Sequence, residues 1–204
     1  MPDIEYFFCD THKELPETYA YLKKLEILLG KKIAFLESER GFDHWLSVNS
    51  GFLPSPKARW CTNQLKIKPL EKFVGEDETI SYVAIRADED RAGYISTKPN
   101  IKPVLPFMKE GLAKRDIFRI IEDSGIGMPD YYSWRSRSGC YFCFFQKREE
   151  WARLSIEHPD LIQQAKHYEK KDPDTGNSHK PYCRFFHVPP VAAQEIDPAG
   201  SQDG

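Results

Sequence analysis

The first apolar run, residues 3–9 (DIEYFFC), is too short for a helix and ends at the polar pair Asp10-Thr11. This pattern predicts a buried strand whose carboxyl end opens into a loop. Pro16 can then start a helix, and Tyr19, Leu22, Leu25 and Leu29 recur at three- and four-residue steps before Gly30 closes it. Residues 32–37 (KIAFLE) read as a second strand. Strand, helix, strand in that order predicts a parallel sheet, in which ligands gather at the carboxyl ends of the strands.

Residues 51–60, rich in proline, glycine and basic residues, read as a loop, followed by a helix over 62–73 and a third strand over 79–86 (TISYVAIR). Residues 87–106 are charged and irregular. A helix over 116–123, closed by Gly125, leads to a loop over 131–139, and helices over 147–157 and 161–170 flank Pro159. From Asp172 onward Pro, Asp, Gly, Ser and Asn dominate, so the expected organisation is one α/β domain over 1–171 and an extension over 172–204 with a disordered end. No internal repeat is visible.

Composition narrows the function classes. With 29 basic against 31 acidic residues, no global field marks a nucleic-acid or membrane-surface binder, and any nucleic-acid contact would need a local basic patch. No apolar run of about 18 residues occurs and the start, MPDIEYFFCD, lacks the charge-then-apolar order of an export signal, which leads to the expectation of a soluble, cytoplasmic protein. Five unevenly spaced cysteines in such a chain point to reduced thiols or metal ligands rather than a disulfide scaffold.

The candidate chemistry centres on those thiols. Cys140 and Cys143 form a CxxC opening on Gly139, a spacing that serves a redox pair, half of a zinc site, half of a cluster site, or two core cysteines. Cys61 stands at a loop-to-helix junction beside Arg59, where the helix dipole and the arginine favour a thiolate. Cys183 is the natural fourth thiol, whereas Cys9, on the first strand, reads as core. Around the thiols lie Lys57, Arg59, Lys66 and Lys68, then Arg86 and Arg91, then Arg135 and Arg137, a clustering suited to phosphate or sulfate oxygens. Asp10, Thr11 and Glu14 suit a ribose hydroxyl or a metal ion, and His12 and His44 are weaker candidates for ligands or acid–base groups. No GxSxG, HExxH or Walker-type glycine loop is present.

Four stretches, PDIEYFFCDTHKELPETYAYL, RWCTNQLKIKPL, AIRADEDR and SGCYFCFFQKREEW, together resemble the phosphoadenosine-phosphosulfate (PAPS) reductase family, which includes the sulfurtransferase-like subunits of DNA phosphorothioation systems. The resemblance spans residues 2 to 160. It implies an adenine-nucleotide hydrolase-like α/β fold, a parallel sheet with helices on both faces. It also implies a 4Fe–4S cluster on Cys61, Cys140 and Cys143, with Cys183 as fourth ligand, beside a site for an adenine nucleotide or sulfonucleotide. Arg86 and Arg91 fall where the family places basic residues near the substrate's phosphate or sulfate, and with them Asp10, Thr11, Arg59, Lys66, Lys68 and Arg137 are the expected substrate-binding residues. The chain departs from the family pattern twice. The phosphate-wrapping Ser-Gly-Gly-Lys-Asp-Ser-type loop is missing, so the expectation is an N-terminally shortened member. In addition, Cys61 is single and Cys183 lies in PYCRFF, where adenosine-phosphosulfate reductases carry Cys-Cys and Glu-Cys-Gly. Sulfur-transfer or sulfonucleotide chemistry, in a DNA-modification or defence setting with partner subunits, is the leading expectation. A zinc-stabilised binding module and a degenerate partner subunit are the alternatives.

Overall fold

The computed structural model describes residues 4–90 and 96–168, which fall into two compact units, 1–140 and 141–204. The boundary passes between Cys140 and Tyr141.

In the first unit, β1 (Tyr6–Asp10) leads through Asp10-Thr11 into α1 (Pro16–Leu29). Pro16, whose missing N–H would be unpaired there in any case, occupies the first helical turn. Gly30 ends the helix in the left-handed conformation (φ 61°), which glycine adopts without a Cβ penalty. The chain then returns as β2 (Ile33–Glu37), parallel to β1, with Tyr6 beside Ile33 and Asp10 beside Glu37. Cys9 and Ala34 pack against a core cluster of Leu36, Leu70, Val74 and Ile101, while Phe8 meets Tyr19 and Phe35 edge-on. Helix α2 (Phe42–Val48), which no expectation covered, buries Phe42 against the indole of Trp60, with ring centroids 5.1 Å apart.

The helix expected over 62–73 is a composite: α3 (Trp60–Thr62), a π turn (Asn63–Ile67) and α4 (Lys68–Val74). Pro69, inside the first turn of α4, has no N–H to give to the Leu65 carbonyl, and the turn before it is widened. The third strand is shorter than expected, β3 (Thr79–Tyr82), and pairs in parallel with β4 (Ile101–Val104), Thr79 beside Ile101. The charged surroundings and Pro103 hid β4, since proline is confined to strand edges and ends. A single parallel sheet was expected; among the described residues there are two separate parallel pairs, so the fold is mixed α/β with small sheets. Helices α5 (Pro106–Lys109) and α6 (Lys114–Asp123) and a 3₁₀ turn (Asp130–Ser133) complete the unit.

The second unit contains α7 (Arg148–Glu157) and α8 (Pro159–Lys166), with Pro159 starting α8. The Glu150 carboxylate accepts the Lys147 N–H at 2.9 Å and so caps α7. Tyr141, Phe142, Trp151, Leu154, Ile162 and Ala165 are its buried apolar residues among those described, and Tyr141 donates to Gln164 Oε1 at 3.3 Å. No helix among the described residues is long and apolar enough to cross a membrane.

Leu154 has no exposed surface. Leu154→Ala is expected to lower stability by about 3 kcal/mol, the transfer and cavity cost of a fully buried leucine. Denaturant unfolding of the variant checks it, and a midpoint equal to that of the parent contradicts it.

Candidate functional site

The site grows from the carboxyl end of β1. Asp10 is buried, and its Oδ1 accepts the Tyr19 hydroxyl and the His12 backbone N–H, each at 2.8 Å. Thr11, also buried, donates through Oγ1 to Glu14 Oε1 at 2.9 Å. The same hydroxyl lies 3.4 Å from Cys140 Sγ, which is itself 3.7 Å from Glu14 Oε1. A strand end and a cysteine far along the chain therefore share one buried carboxylate.

The segment carrying Cys140 is held by Arg135. This buried guanidinium donates to the carbonyls of Gly139 at 3.0 Å and Cys140 at 2.7 Å. Gly139 has φ 137°, a backbone state that a residue with a Cβ rarely adopts, so the glycine before the cysteine has a conformational reason. Arg135 thus organises the loop that its position in the sequence had suggested for anion binding.

The π turn delivers Lys66 to the same place. Partial burial disfavours its ammonium, but Cys140, Glu14, Cys9 and Cys61 outweigh that cost and hold its pKa above the ordinary lysine value. Lys66 is therefore charged at neutral pH, with three thiols and a carboxylate in its field. Cys9 also donates through Sγ to the Lys66 carbonyl at 3.5 Å. Burial pushes the Cys9 thiol up and Lys66 pulls it back, which suits its place against the core.

Beside this cluster lies a cavity of about 330 Å³, within the range that holds small ligands. Glu14 and Lys66 supply its charges, while Tyr21, Tyr131, Tyr132 and Met128 supply aromatic and apolar wall. Burial, then Tyr132, pushes the Tyr131 phenol up to about 12. Burial and the Asp10 contact likewise raise Tyr19.

Of the expected substrate residues, Asp10, Thr11 and Lys66 meet here, and Lys66 lines the cavity. The other basic candidates stand differently. Arg59 donates to Thr62 Oγ1 at 3.3 Å, exposed Lys68 lies over the Trp45 ring at 5.6 Å, and Arg137 is exposed. Arg86 is paired with Asp88 at 2.9 Å and Glu89 at 3.0 Å. Of the expected metal ligands, Cys61 and Cys140 lie near Lys66. Cys143, in the second unit, is partly buried and its carbonyl accepts the Gln146 N–H at 2.9 Å. Cys183 and Arg91 lie outside the described residues. Tyr131 and Tyr132 were not anticipated. Their only trace in the sequence is an adjacent aromatic pair beside a glycine- and proline-bearing turn.

Two outcomes follow from this geometry. Lys66→Met removes a cation that Glu14 and Cys140 favour and is expected to lower stability, and Glu14→Gln in the same chain is expected to recover part of the loss; denaturant unfolding of the four chains measures the coupling, and additive losses contradict it. Because the folded Tyr131 pKa lies above the unfolded value near 10, its contribution is complete below about pH 10 and is lost as pH rises toward 12. Tyr131→Phe is expected to flatten the stability profile across that window, and an unchanged alkaline slope would tell against it.

No protein-family model matches the chain. It is similar to two uncharacterized proteins of Methanocaldococcus jannaschii. One is 28% identical over 172 residues, covering 78% of this chain and 34% of the relative, and the other is 23% identical over 174 residues, covering 79% of this chain and 40% of the relative. The chain thus spans between a third and two fifths of the length of these relatives.

Proposed function

We propose that this chain carries out sulfur-transfer or sulfonucleotide chemistry, as a PAPS-reductase-like protein with a cysteine-held 4Fe–4S cluster beside an adenine-nucleotide site. One observation carries the reading: Cys61 and Cys140, from distant parts of the chain, lie in the field of the same protonated Lys66. Thiolates bound to an iron–sulfur cluster form an anionic assembly, and a fixed cation nearby offsets that charge. The donor set fits the group. Cys61 and Cys140 supply two thiols of the first unit, Cys143 follows Cys140 by one short turn of sequence, and Cys183 is the proposed fourth ligand. When bound, the cluster would supply electrons or a sulfur-handling iron.

The protein's own groups have separate roles in this reading. Arg135 and Gly139 fix the loop of Cys140, and Thr11 and Glu14 orient the space around its sulfur. The neighbouring cavity, with Lys66 at one wall and tyrosines at others, would receive the nucleotide: aromatic faces for a base, an ammonium for phosphate or sulfate oxygens. A zinc site on the same thiols is the second reading, favoured by the same cysteine geometry and separated by metal identity.

The deciding experiment is anaerobic purification followed by metal analysis and visible spectroscopy. A brown, iron-rich protein is expected, and Cys140→Ser with Cys143→Ser should remove both iron and visible absorption. Unchanged iron per chain in the double variant rejects the cluster, and a colourless zinc protein selects the second reading.

A further inference from the structure

Outside the thiol cluster, the two strand ends bring together three potential ligands that the proposed function leaves unused as a set. Asp10 and Glu37 are register partners at the last positions of β1 and β2, so their carboxylates emerge side by side. Adjacent like charges repel, and a cation between them relieves that cost. His12 turns back over the pair on a left-handed residue, φ 55°, with its N–H tied to Asp10 Oδ1 at 2.8 Å. Its ring then faces one carboxylate with each nitrogen: Nδ1 is 3.7 Å from Asp10 Oδ2 and Nε2 is 3.4 Å from Glu37 Oε2. One ligand atom from each of the three residues lies within 4.8 Å of the other two.

We infer that the carboxyl edge of β1 and β2 is a divalent-cation site built from Asp10, His12 and Glu37, suited to a first-row ion such as Mn²⁺ or Zn²⁺. One ring nitrogen can bind the ion: Nε2, 3.4 Å from Glu37 Oε2, is too far for a good hydrogen bond but at the spacing of neighbouring ligands around an ion, and one ligand atom from each of the three residues lies within 4.8 Å of the others. Metal–ligand bonds of about 2.1 Å in a tetrahedron put neighbouring ligand atoms about 3.4 Å apart. One imidazole nitrogen and two carboxylate oxygens suit a borderline to hard ion, unlike the thiols near Lys66. Two carboxylates with a neutral imidazole carry two negative charges, which a divalent ion balances. Asp10 is the anchored ligand: it is 6% exposed and its other oxygen is fixed by Tyr19 at 2.8 Å, an outer-shell contact of the kind that orients metal ligands. His12 and Glu37 are 60% and 55% exposed, so the remaining positions face solvent and could take water or an anionic oxygen. The nearby ammonium of Lys13 lies 3.6 Å from Asp43 Oδ2.

Mn²⁺ is the appropriate probe because oxygen and nitrogen ligands suit it and the thiols compete poorly for it. Titration of the full chain, followed by the electron paramagnetic resonance signal of free Mn²⁺, is expected to show one saturable site. Glu37→Gln and His12→Asn should each weaken it at least about tenfold. Asparagine tolerates the left-handed backbone at position 12, so the turn survives. Cys61→Ser with Cys140→Ser should leave the site intact, which keeps this result separate from the cluster experiment. In the parent chain, Mn²⁺ should also broaden the ring resonances of one of the six histidines, assigned through His12→Asn. Absence of a saturable site, equal affinity in Glu37→Gln, or unbroadened His12 resonances would each overturn the inference.

Discussion

The arrangement of the first unit depends on compensating one ammonium. Burial disfavours the ammonium of half-buried Lys66, and Cys140, Glu14, Cys9 and Cys61 more than offset that cost. Those partners come from β1, the loop before α1, α3 and the first cysteine of the CxxC. The same ammonium therefore faces several stretches of the chain. The apolar cluster of Leu36, Leu70, Val74 and Ile101, with Cys9 and Ala34 packed against it, secures β1, β2, β4 and α4. The segment of Cys140 relies on polar contacts: Arg135 on two carbonyls, and Thr11 and Glu14 near the sulfur.

Two kinds of order thus meet at β1. Residues before Asp10 are fixed by packing and by strand pairing with β2, and residues after it by hydrogen bonds to buried oxygens. The division follows from the geometry of a parallel pair, whose carboxyl ends expose side chains beyond the last ladder bonds. Buried polar networks of this type specify one arrangement, because any alternative leaves a donor or acceptor unpaired.

Local signals made the framework legible. Pro16, the apolar steps through Leu29 and Gly30 define α1, and the short apolar runs on either side give β1 and β2 with their parallel order. The helices of the second unit are equally plain, although Pro159 starts α8 rather than only separating it from its neighbour. What was obscure rests on distant pairing. Strand β4 contains Pro103 and a lysine in four residues, so its identity comes from β3 beside it. Within the site, Cys61, Cys140 and Lys66 were readable from spacing and neighbouring charge. The structural use of Arg135 and the tyrosine wall was not, because a guanidinium gives the same sequence signal whether it meets a carbonyl or a phosphate.

The π turn over Asn63–Ile67 is also a mechanical register. It accommodates one residue more than a regular helical turn between the apolar anchor of α4 and the cysteine that precedes it. Rewinding the same residues as regular helix would rotate everything on its amino-terminal side by about 100° relative to Pro69 and Leu70, whereas deleting one residue would keep the phase. Rewound in that way, the helix would carry Cys61 round to another side while α4 kept its packing. The widened turn thus sets the phase between the part of the helix that holds the fold and the part that carries Cys61.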